Sequence, residues 1–397
     1  MKRIVILGAG TGGTLMANKL ARSLPEGWRV TVLDRDDVHV YQPGLLFLPF
    51  GGYRPDEIVK RRKPTLDRRV ELRLQEIDVV APAENRVILA GGESIAYDLL
   101  IVATGSRIVP EQTKGLTEDG WQKTAFDFYT LDGATKLRAA LDRFEGGRVV
   151  VNVAEMPIKC PVAPLEFAFL ADEYFTKRGI RDRVQLTYAT PLEGAFTKPK
   201  ASALLGELLK RRNIEVVGDF ALEQVHGGKR LLQAYDGRQL DYDLLVSIPL
   251  HAGSELVSRS GMGDAAGWFP TDRNTLQGRN FANVFALGDA TDLPSSKAGS
   301  VAHFQGEVLF DNVHRYLAGR SLEPAFDGHS NCFIETGFGK AMLIDFNYDT
   351  EPLPGRFPLP GVGPMTLLEE SEVNHWAKLA FKWVYWNVLV EGRELPL

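Results

Sequence analysis

The stretch IVILGAGTGG, residues 4–13, decides the fold that this sequence predicts. A short apolar run leads into a glycine-rich turn, and apolar residues at helical spacing follow the turn. Strand, GxGxxG and helix in this order are the fingerprint of a dinucleotide-binding βαβ unit. In such a turn glycines permit the tight bend, the approach of a pyrophosphate to the backbone, and the packing of helix on strand. The glycines of this turn are Gly8, Gly10, Gly12 and Gly13.

The residue at the end of the second predicted strand supports this interpretation. The strand runs from Trp28 to Leu33 and leads into Asp34, about 20 residues past the last glycine, as the fingerprint requires. Its carboxylate would accept hydrogen bonds from a ribose, and it argues against a 2′-phosphate. Strand, helix and acid together favour dinucleotide binding over an ordinary glycine-rich turn.

Length and composition narrow the class of protein. A chain of 397 residues exceeds what one hydrophobic core usually supports, so two or three subdomains are expected. The net charge of -5, without a basic stripe or recognition motif, gives no reason to expect a nucleic-acid partner. The 2 cysteines are isolated, which argues against a disulfide scaffold and against a zinc site of CxxC spacing. The first strand starts at once and no apolar span is long enough to cross a bilayer, so we expect a soluble or monotopic protein without a signal peptide.

A second βαβ unit is predicted without a glycine turn. After the strand predicted at residues 148–153, the sequence AEMPIKC occupies residues 154–160. Side chains with Cβ atoms crowd the amides that would bind a pyrophosphate, and Glu155 adds like-charge repulsion. NAD(P)H binding at this turn is therefore disfavoured, and the electrons have to come from another donor.

Cys160 is the candidate for that donor site. A helix is predicted to begin near residues 161–164, and its dipole together with Lys159 would favour the nucleophilic thiolate. The alternative is a buried, inert thiol, but a Lys-Cys-Pro sequence in place of a nucleotide turn favours a functional cysteine. The second cysteine, Cys332, could by itself be a small core residue.

Three ordered motifs resemble the flavoprotein disulfide reductase superfamily, which has two dinucleotide domains. They are the glycine turn, a buried strand that ends in the sequence Ala103-Thr104-Gly105, and the later strand NVFALGD at residues 283–289. The resemblance implies that the first nucleotide is FAD. It also implies that Gly288 and Asp289 bind the flavin, with Asp289 on the ribityl chain.

A closer resemblance is to the sulfide:quinone oxidoreductases. It is carried by KCPVAPLE at residues 159–166, LPSSK at residues 293–297 and the Cys-Phe pair at residues 332–333. It implies that Cys160 and Cys332 form a redox pair, bridged by a disulfide or a sulfur chain. The resemblance also implies proton transfer by Glu166 and a position near the flavin ring or quinone pocket for Lys297. For Glu166 the alternative is a solvated glutamate in the first turn of the helix, favoured by the helix dipole. Phe333 is a candidate to stack on the quinone ring.

The chain departs from this family in two respects. Histidines that some members carry near the sulfide site are not obvious here, and many members carry a third cysteine between the Ala-Thr-Gly strand and the second fold. Residues 106–159 contain none, so covalent flavin attachment is not carried over. His251 and His303 are candidates for positions near the site, but each is interpreted as a structural histidine.

The C-terminal region predicts an amphipathic aromatic helix that lies in the membrane plane and delivers the flavin edge to quinone. An aromatic dimer interface or a core helix is the alternative. Lys378 and Lys382 are expected to flank the apolar surface. That surface is predicted to comprise Trp376, Leu379, Ala380, Phe381, Trp383, Val384, Tyr385, Trp386 and Val390.

The predicted fold class is α/β, with two Rossmann-like domains and a C-terminal membrane-associating region. We expect an FAD domain at residues 1–108, a degenerate second Rossmann domain at 109–250, a return of the FAD domain at 251–322 and a C-terminal region at 323–397. The predicted activity is oxidation of sulfide with a membrane quinone as acceptor. The expected place is a prokaryotic cytoplasmic membrane, on either face, and homo-oligomers are compatible with this prediction.

Three other functions stay open at this point. A type II NADH:quinone dehydrogenase would share FAD, fold and anchor, but it predicts a glycine-rich second turn and needs neither cysteine. The flavin subunit of a cytochrome-linked sulfide dehydrogenase would be expected to carry a secretion signal. A noncatalytic flavin-fold binding protein would give no response to sulfide.

Overall fold

The structure, a computed structural model, describes residues 1–393. Within them the chain alternates strands and helices as an α/β fold requires. The α-helices are α1 (Thr11–Ser23), α2 (Leu131–Arg143), α3 (Ala163–Lys177), α4 (Pro199–Arg211), α5 (Glu255–Arg259), α6 (Gly299–Leu317) and α7 (Glu372–Val384).

The first sheet forms the predicted dinucleotide fold. Its strands lie in the order Gln277–Gly278, Phe281–Ala286, Leu99–Val102, Lys2–Leu7, Trp28–Asp34 and Glu71–Leu74. All neighbours are parallel except the first pair. The carboxyl ends of the parallel strands therefore meet at one edge, which is where an open α/β sheet binds its ligand.

The second sheet is entirely parallel, which confirms the second Rossmann-like fold. Its strands lie in the order Ala125–Phe126, Leu244–Ile248, Gly147–Val153, Val184–Ala189 and Ile214–Val217. Helix α3 packs on this sheet through apolar side chains such as Phe167 and Phe175, which are fully buried.

The C-terminal residues form a third sheet that is packed against the second fold. Its strands lie in the order Ser330–Gly337, Lys340–Phe346, Met365–Leu367 and Gly355–Phe357. One side of the first strand packs on α3, and α7 packs on the second strand. The C-terminal part of the chain thus returns to the N-terminal half of α3, next to Cys160.

Small antiparallel sheets and strand pairs decorate these three sheets. The strand Glu71–Leu74 extends the first parallel sheet, and an antiparallel hairpin begins at Ile77. The small elements are His39–Val40 with Val59–Lys60, Ile77–Ala81 with Arg86–Leu89 and Ser94–Ala96, Arg107–Ile108 with His251–Ala252, and Leu222–His226 with Leu231–Ala234 and Gln239–Asp241. The domain boundaries at residues 108, 250 and 322 stay predictions, and the last four residues of the C-terminal region lie outside the described ones.

Helix α7 exposes one apolar face and buries the other. Trp376 and Trp383 are each 65% exposed, and Val373 and Ala380 lie on the same exposed face. None of the helices in residues 1–393 combines the length and the apolar character that a membrane crossing requires.

The predicted apolar surface was wrong for the residues that follow α7. A π-helical turn, Tyr385–Leu389, directs Tyr385 and Trp386 into the main core, and Val390 is buried beside them. Aromatic character alone does not distinguish this core-facing turn from an exposed face.

Candidate functional site

The glycine turn after the first strand is closely packed on one side and open on the other. Gly8 has φ +96°, and a Cβ there would lie 2.6 Å from the carbonyl oxygen of Ala103. A Cβ on Gly13 would lie 1.9 Å from the carbonyl oxygen of Gly8, whereas a Cβ on Gly10 would have no neighbour within 4 Å. The turn thus joins strand to helix tightly and leaves Gly10 facing open space, as a backbone cradle for a pyrophosphate requires.

Asp34 lies beside this turn. One carboxylate oxygen accepts a hydrogen bond from the Ala9 amide at 2.7 Å and lies 3.2 Å from the Arg62 guanidinium. The other oxygen accepts the Arg35 amide at 2.8 Å. These contacts fix the carboxylate and leave acceptor positions for a ribose, because an ionised carboxylate offers about four lone-pair sites.

The end of the strand Leu99–Val102 and the turn after Phe281–Ala286 complete the edge. Gly105 and Gly288 both have positive φ, +67° and +69°, and a Cβ on Gly105 would have no neighbour within 4 Å. Among the described residues, Thr104 Oγ1 is buried without a hydrogen-bond partner. An open glycine and an orphaned hydroxyl at the carboxyl edge fit a bound dinucleotide, because buried polar groups are normally paired.

Asp289 and Lys297 lie together at this edge. Burial raises the pKa of Asp289, and the neighbouring Lys297 and Lys159 oppose that rise. The Lys297 ammonium donates to the Thr291 carbonyl at 2.7 Å and lies 4.1 Å from the centre of the Trp268 ring. The same ammonium lies 3.4 Å from the Asp289 carbonyl, so Lys297 lies beside the turn that follows the strand Phe281–Ala286.

The turn between the strand Gly147–Val153 and α3 is held by contacts within the protein. A nucleotide-binding turn would instead keep its backbone amides free. Cys160 has φ +44°, its amide donates to the Lys297 carbonyl at 2.7 Å, and its carbonyl accepts from the Ala163 amide at 2.9 Å. Because the Cys160 amide is already paired, it is not available to a phosphate. This geometry supports the sequence argument that the turn does not bind a nucleotide.

Cys332 lies in the strand Ser330–Gly337, opposite Ile344, and is buried. Cys160 immediately precedes α3, the helix on which this strand packs, and both cysteines lie in the same core. The charge of Cys160 contributes to the raised pKa of Cys332, after the larger effect of burial. The structure thus brings the two cysteines together as free thiols.

The expected preference of Cys160 for the thiolate was wrong. Burial raises the pKa of its thiol to about 12, and the carboxylate of Glu166 acts in the same direction. The ammonium of Lys159 donates to the side-chain oxygen of Gln42 at 3.2 Å. Desolvation at this position outweighs the helix dipole, whose effect is small by comparison.

Glu166 is deeply buried, with 1% of its surface exposed, which excludes a solvated first-turn residue. Its carboxylate accepts the Glu335 amide at 2.7 Å and pairs with the Lys378 ammonium. Lys378 also donates to the Phe333 carbonyl at 3.1 Å. An ion pair therefore lies next to both thiols, since Glu166 and Lys378 each affect the pKa of Cys160 and of Cys332.

Lys378 was expected on the surface, and its inward position went unrecognised in the sequence. The signal was the helical spacing of Asn374, Lys378, Phe381 and Tyr385, which places polar and aromatic residues on one face. Asn374 is fully buried on that face. The other lysine, Lys382, places its ammonium 4.2 Å from the ring centre of Tyr53.

Two histidines that were interpreted as structural differ in their positions. His251 is buried and contacts the ring of Tyr129 edge-on at 4.9 Å, and its Nδ1–H donates to the Pro249 carbonyl at 3.0 Å. The Tyr129 hydroxyl lies 3.5 Å from the Cys160 carbonyl, so His251 belongs to the surroundings of Cys160. His303 lies in α6 beside Glu307, at 3.9 Å.

The buried turn after α7 contacts the glycine turn of the first fold. The Tyr385 hydroxyl lies 2.8 Å from Thr11 Oγ1 and 2.7 Å from His39 Nε2. Farther along, the Asn18 amide donates to the Val390 carbonyl at 2.7 Å. The C-terminal segment thus connects the face of α7 to the dinucleotide edge.

Comparisons with known proteins agree with this architecture. The sulfide:quinone oxidoreductase of Dictyostelium discoideum mitochondria is 27% identical over 98% of this chain and 86% of that protein. The mitochondrial sulfide:quinone oxidoreductase of Mus musculus is 26% identical over the same shares. The crystal structure of the sulfide:quinone oxidoreductase of Aquifex aeolicus superposes with a TM-score of 0.83 at 20% identity, covering 99% of this chain and 92% of that one. These similarities confirm the resemblance that the motifs indicated.

A family model described as pyridine nucleotide-disulphide oxidoreductase matches residues 2–306. That range contains both parallel sheets and the Cys160 turn. The chain therefore belongs to the pyridine nucleotide-disulphide oxidoreductase family.

Proposed function

We propose that this protein is a sulfide:quinone oxidoreductase that uses Cys160 and Cys332 as its redox pair. The observation that supports the proposal most is the convergence of the two cysteines with the Glu166–Lys378 ion pair, at a turn whose backbone is already occupied. The names of the similar proteins support the same substrates, a sulfide donor and a quinone acceptor.

The dinucleotide that fits the first sheet is, on this proposal, FAD. The glycine turn would hold the pyrophosphate, Asp34 the ribose and Asp289 the ribityl chain, with Ala103, Thr104, Gly105, Gly288 and Lys297 closing the edge. When bound, FAD accepts two electrons from the cysteine site and passes them to quinone. The contact of Lys297 with the Asp289 carbonyl, at 3.4 Å, favours its cofactor role over its quinone role.

The protein's own chemistry is thiol–disulfide exchange. Hydrosulfide attacks the oxidised bridge between the cysteines, one S–S bond breaks and another forms, and a persulfide and a free cysteine sulfur result. We assign the free sulfur to Cys160. Because the pKa of its thiol is raised to about 12, this sulfur takes up a proton on cleavage and has to lose it again before it transfers electrons.

Glu166 is placed to receive that proton. It is buried next to the cysteine, and its carboxylate pairs with the Lys378 ammonium. Lys378 in turn holds the Phe333 carbonyl, which would fix the Phe333 ring at the proposed quinone site. Donor and acceptor chemistry would thus share one ion pair.

The exposed face of α7 would deliver the site to a membrane. Val373, Trp376, Ala380 and Trp383 form this face, and indole rings prefer the membrane interface. We therefore propose a monotopic protein of a prokaryotic cytoplasmic membrane, with the division into domains at residues 108, 250 and 322 as predicted. A homo-oligomer is compatible with this arrangement.

Anaerobic titration of the purified protein with sulfide and, separately, with NADH tests the reaction. Sulfide is expected to bleach the flavin absorbance and NADH is not, because the second turn offers no free cradle. Bleaching by NADH but not by sulfide would instead favour a type II NADH:quinone dehydrogenase. No response to sulfide in a flavin-loaded preparation would favour a noncatalytic flavin protein.

The cysteine assignment is tested by Cys160→Ser and Cys332→Ser. In each variant sulfide-dependent quinone reduction is expected to fall by at least about a hundredfold, because one cysteine alone cannot form the bridge that hydrosulfide attacks. Flavin content, measured by absorbance, should stay at the wild-type level because neither thiol belongs to the glycine turn. Undiminished turnover in either variant would remove the redox pair.

A further inference from the structure

Four ionisable side chains form a cluster between the cysteines and the outer face of α7. They are Glu166, Glu335, His375 and Lys378, and we call them the α7 charge cluster. Glu166 and Glu335 are each 1% exposed, whereas the side chains of Lys378 and His375 are 12% and 19% exposed. Exposure therefore rises from the carboxylates toward the helix.

Direct contacts connect the members of the α7 charge cluster one after another. Lys378 pairs with Glu166, and the carboxylate of Glu166 accepts the amide of Glu335 at 2.7 Å. The carboxylate of Glu335 then pairs with His375, whose Nδ1 lies 2.9 and 3.1 Å from the two carboxylate oxygens. The next residue, Trp376, stands on the exposed apolar face and lies 5.4 Å from the His375 ring.

The charges of the cluster do not balance without an added proton. Two carboxylates face one ammonium, so a neutral His375 leaves one uncompensated negative charge in a buried site. Such a charge is costly, and binding of one proton removes the cost. The contact between Glu335 and His375 is where this proton fits best. Burial raises the pKa of Glu335, which also favours a bound proton at this contact.

The proposed reaction needs such a proton. Oxidation of hydrosulfide to the level of sulfane sulfur releases one proton and two electrons, whereas reduction of quinone to quinol takes up two of each. One net proton must therefore come from solvent to the quinone side. His375 is the cluster member nearest to solvent, and its partner Glu335 lies two residues along the strand from Phe333, at the proposed quinone site.

Resting on the proposed function, we propose that Glu335 and His375 hold a proton and deliver it to the quinone at the Phe333 site, which adjoins α7 through the contact of Lys378 with the Phe333 carbonyl. His375 gives the proton to the quinone oxygen, and Glu335 keeps the imidazole oriented and is left with the balancing charge until solvent returns a proton. Glu166 and Lys378 serve the thiol side of the same cluster.

Other ionisable groups also face the pair and shape its response to pH. Glu166 faces it from α3 and Lys378 from α7 itself. Tyr53, on the loop before residue 55, has a pKa raised by burial first and then by Glu57, with Lys378 and Glu335 acting in opposite directions. Glu335→Gln and His375→Gln both leave these groups unchanged, so the groups contribute to the pH profile of each variant.

Stopped-flow measurement of the two half-reactions separates this role from the cysteine chemistry. Glu335→Gln keeps the size of the side chain but cannot share a proton in the same way. Reoxidation of the reduced flavin by a short-chain benzoquinone is expected to slow by about a hundredfold, which is the usual scale of general acid catalysis, and to lose the pH dependence of the wild type. Bleaching by sulfide should stay within about twofold of the wild type.

His375→Gln is the second variant, because it lies closer to the surface and does not disturb the buried carboxylates. The matched control is His329→Gln, which breaks a histidine–carboxylate pair of similar length, 3.0 Å to Asp345, in which neither residue belongs to α7. This control should reoxidise at the wild-type rate. Wild-type reoxidation in both Glu335→Gln and His375→Gln, or an equal slowing in His329→Gln, would overturn the proposal.

The flavin can also be reduced with dithionite, which makes the test independent of sulfide. Failure of the wild-type protein to bleach with sulfide would remove the proposed function. Slow, pH-independent reoxidation of the dithionite-reduced variants would still support proton delivery. If quinone reoxidises the wild-type flavin neither after reduction by sulfide nor after reduction by dithionite, the inference is removed as well.

Discussion

At the scale of single residues, two glycines of the same turn are expected to behave differently. A Cβ on Gly13 would lie 1.9 Å from the Gly8 carbonyl oxygen, so backbone has to shift. Gly10 has φ -79° and ψ -160°, which any residue adopts, and a Cβ there meets open space. Gly13 is therefore needed for the packing of the turn itself, and Gly10 for the approach of a bound pyrophosphate.

We therefore predict opposite effects for Gly13→Ala and Gly10→Ala. Gly13→Ala should lower the free energy of unfolding by about 2–3 kcal/mol, because overpacking against backbone cannot relax easily. Gly10→Ala should change it by no more than about 0.5 kcal/mol, yet weaken flavin binding by at least about tenfold because the methyl occupies the space of the pyrophosphate. Urea unfolding and flavin retention on gel filtration measure the two effects.

Equal loss of stability in both variants would show that Gly10 is a packing residue. Full flavin retention in Gly10→Ala would show that the cofactor does not approach the turn at this position. The pair therefore tests the cradle without relying on activity.

Cys160 and Glu166 illustrate what single residues do not reveal in a sequence. Both were identified from the Lys-Cys-Pro-x-Ala-Pro-x-Glu pattern, but the ionisation of the thiol was not predictable. It depends on burial under the C-terminal sheet, which raises the pKa to about 12. Partners that are distant in sequence decide the electrostatics of a site, and local features such as a helix dipole only modify them.

At the scale of elements, α7 separates an inward face from an outward one. Lys378 and His375 serve the buried side, while Trp376 and Trp383 stay 65% exposed. The amphipathic pattern predicted the helix and the two tryptophans. It did not predict which charged residues turn inward, because a lysine stem covers apolar surface equally well on either side.

Trp376 and Trp383 are predicted to carry membrane association. The double variant Trp376→Gln with Trp383→Gln should reduce binding to vesicles of phosphatidylcholine and phosphatidylglycerol by at least about tenfold, since each indole loses roughly 1.5–3 kcal/mol of apolar burial. Co-sedimentation with the vesicles measures the binding. Turnover with a short-chain benzoquinone in the absence of vesicles should be retained.

The control for this prediction is Tyr235→Ser, because Tyr235 is 74% exposed on a turn of the Leu222–Asp241 sheet and not on α7. Its vesicle binding should equal that of the wild type. If the double variant still sediments with vesicles, the exposed face of α7 is an interface with protein instead.

At the scale of the whole molecule, the sequence predicted both Rossmann-like folds because each rests on local patterns. The glycine turn, the apolar strands and the helical spacing are all contained within short windows. The third sheet was not predicted, since its strands acquire their role only by packing on α3 and α7. The contact between Tyr385 and the Thr11 hydroxyl joins the two ends of the chain, and no local pattern indicates it.

The same contact predicts how stability depends on pH. His39 bonds to the Tyr385 hydroxyl, is 1% exposed, and has its pKa lowered to about 3 by burial first and then by Arg62 and Lys60. In the unfolded chain the imidazole titrates near 6.5, so below that pH the unfolded state binds the extra proton and stability falls. Between pH 7 and pH 5 this group alone should cost about 2 kcal/mol of unfolding free energy.

The histidine variants isolate this effect from the titration of carboxylates, which is common to all of them. His39→Gln keeps a hydrogen-bonding side chain and should flatten the loss of stability between pH 7 and pH 5 by about 2 kcal/mol, measured by urea unfolding at each pH. His329 gives the opposite sign, because its hydrogen bond to Asp345 raises its pKa and its contribution grows as the pH falls. His329→Gln should therefore steepen the loss, and an identical pH dependence in both variants would contradict the buried, neutral state of His39.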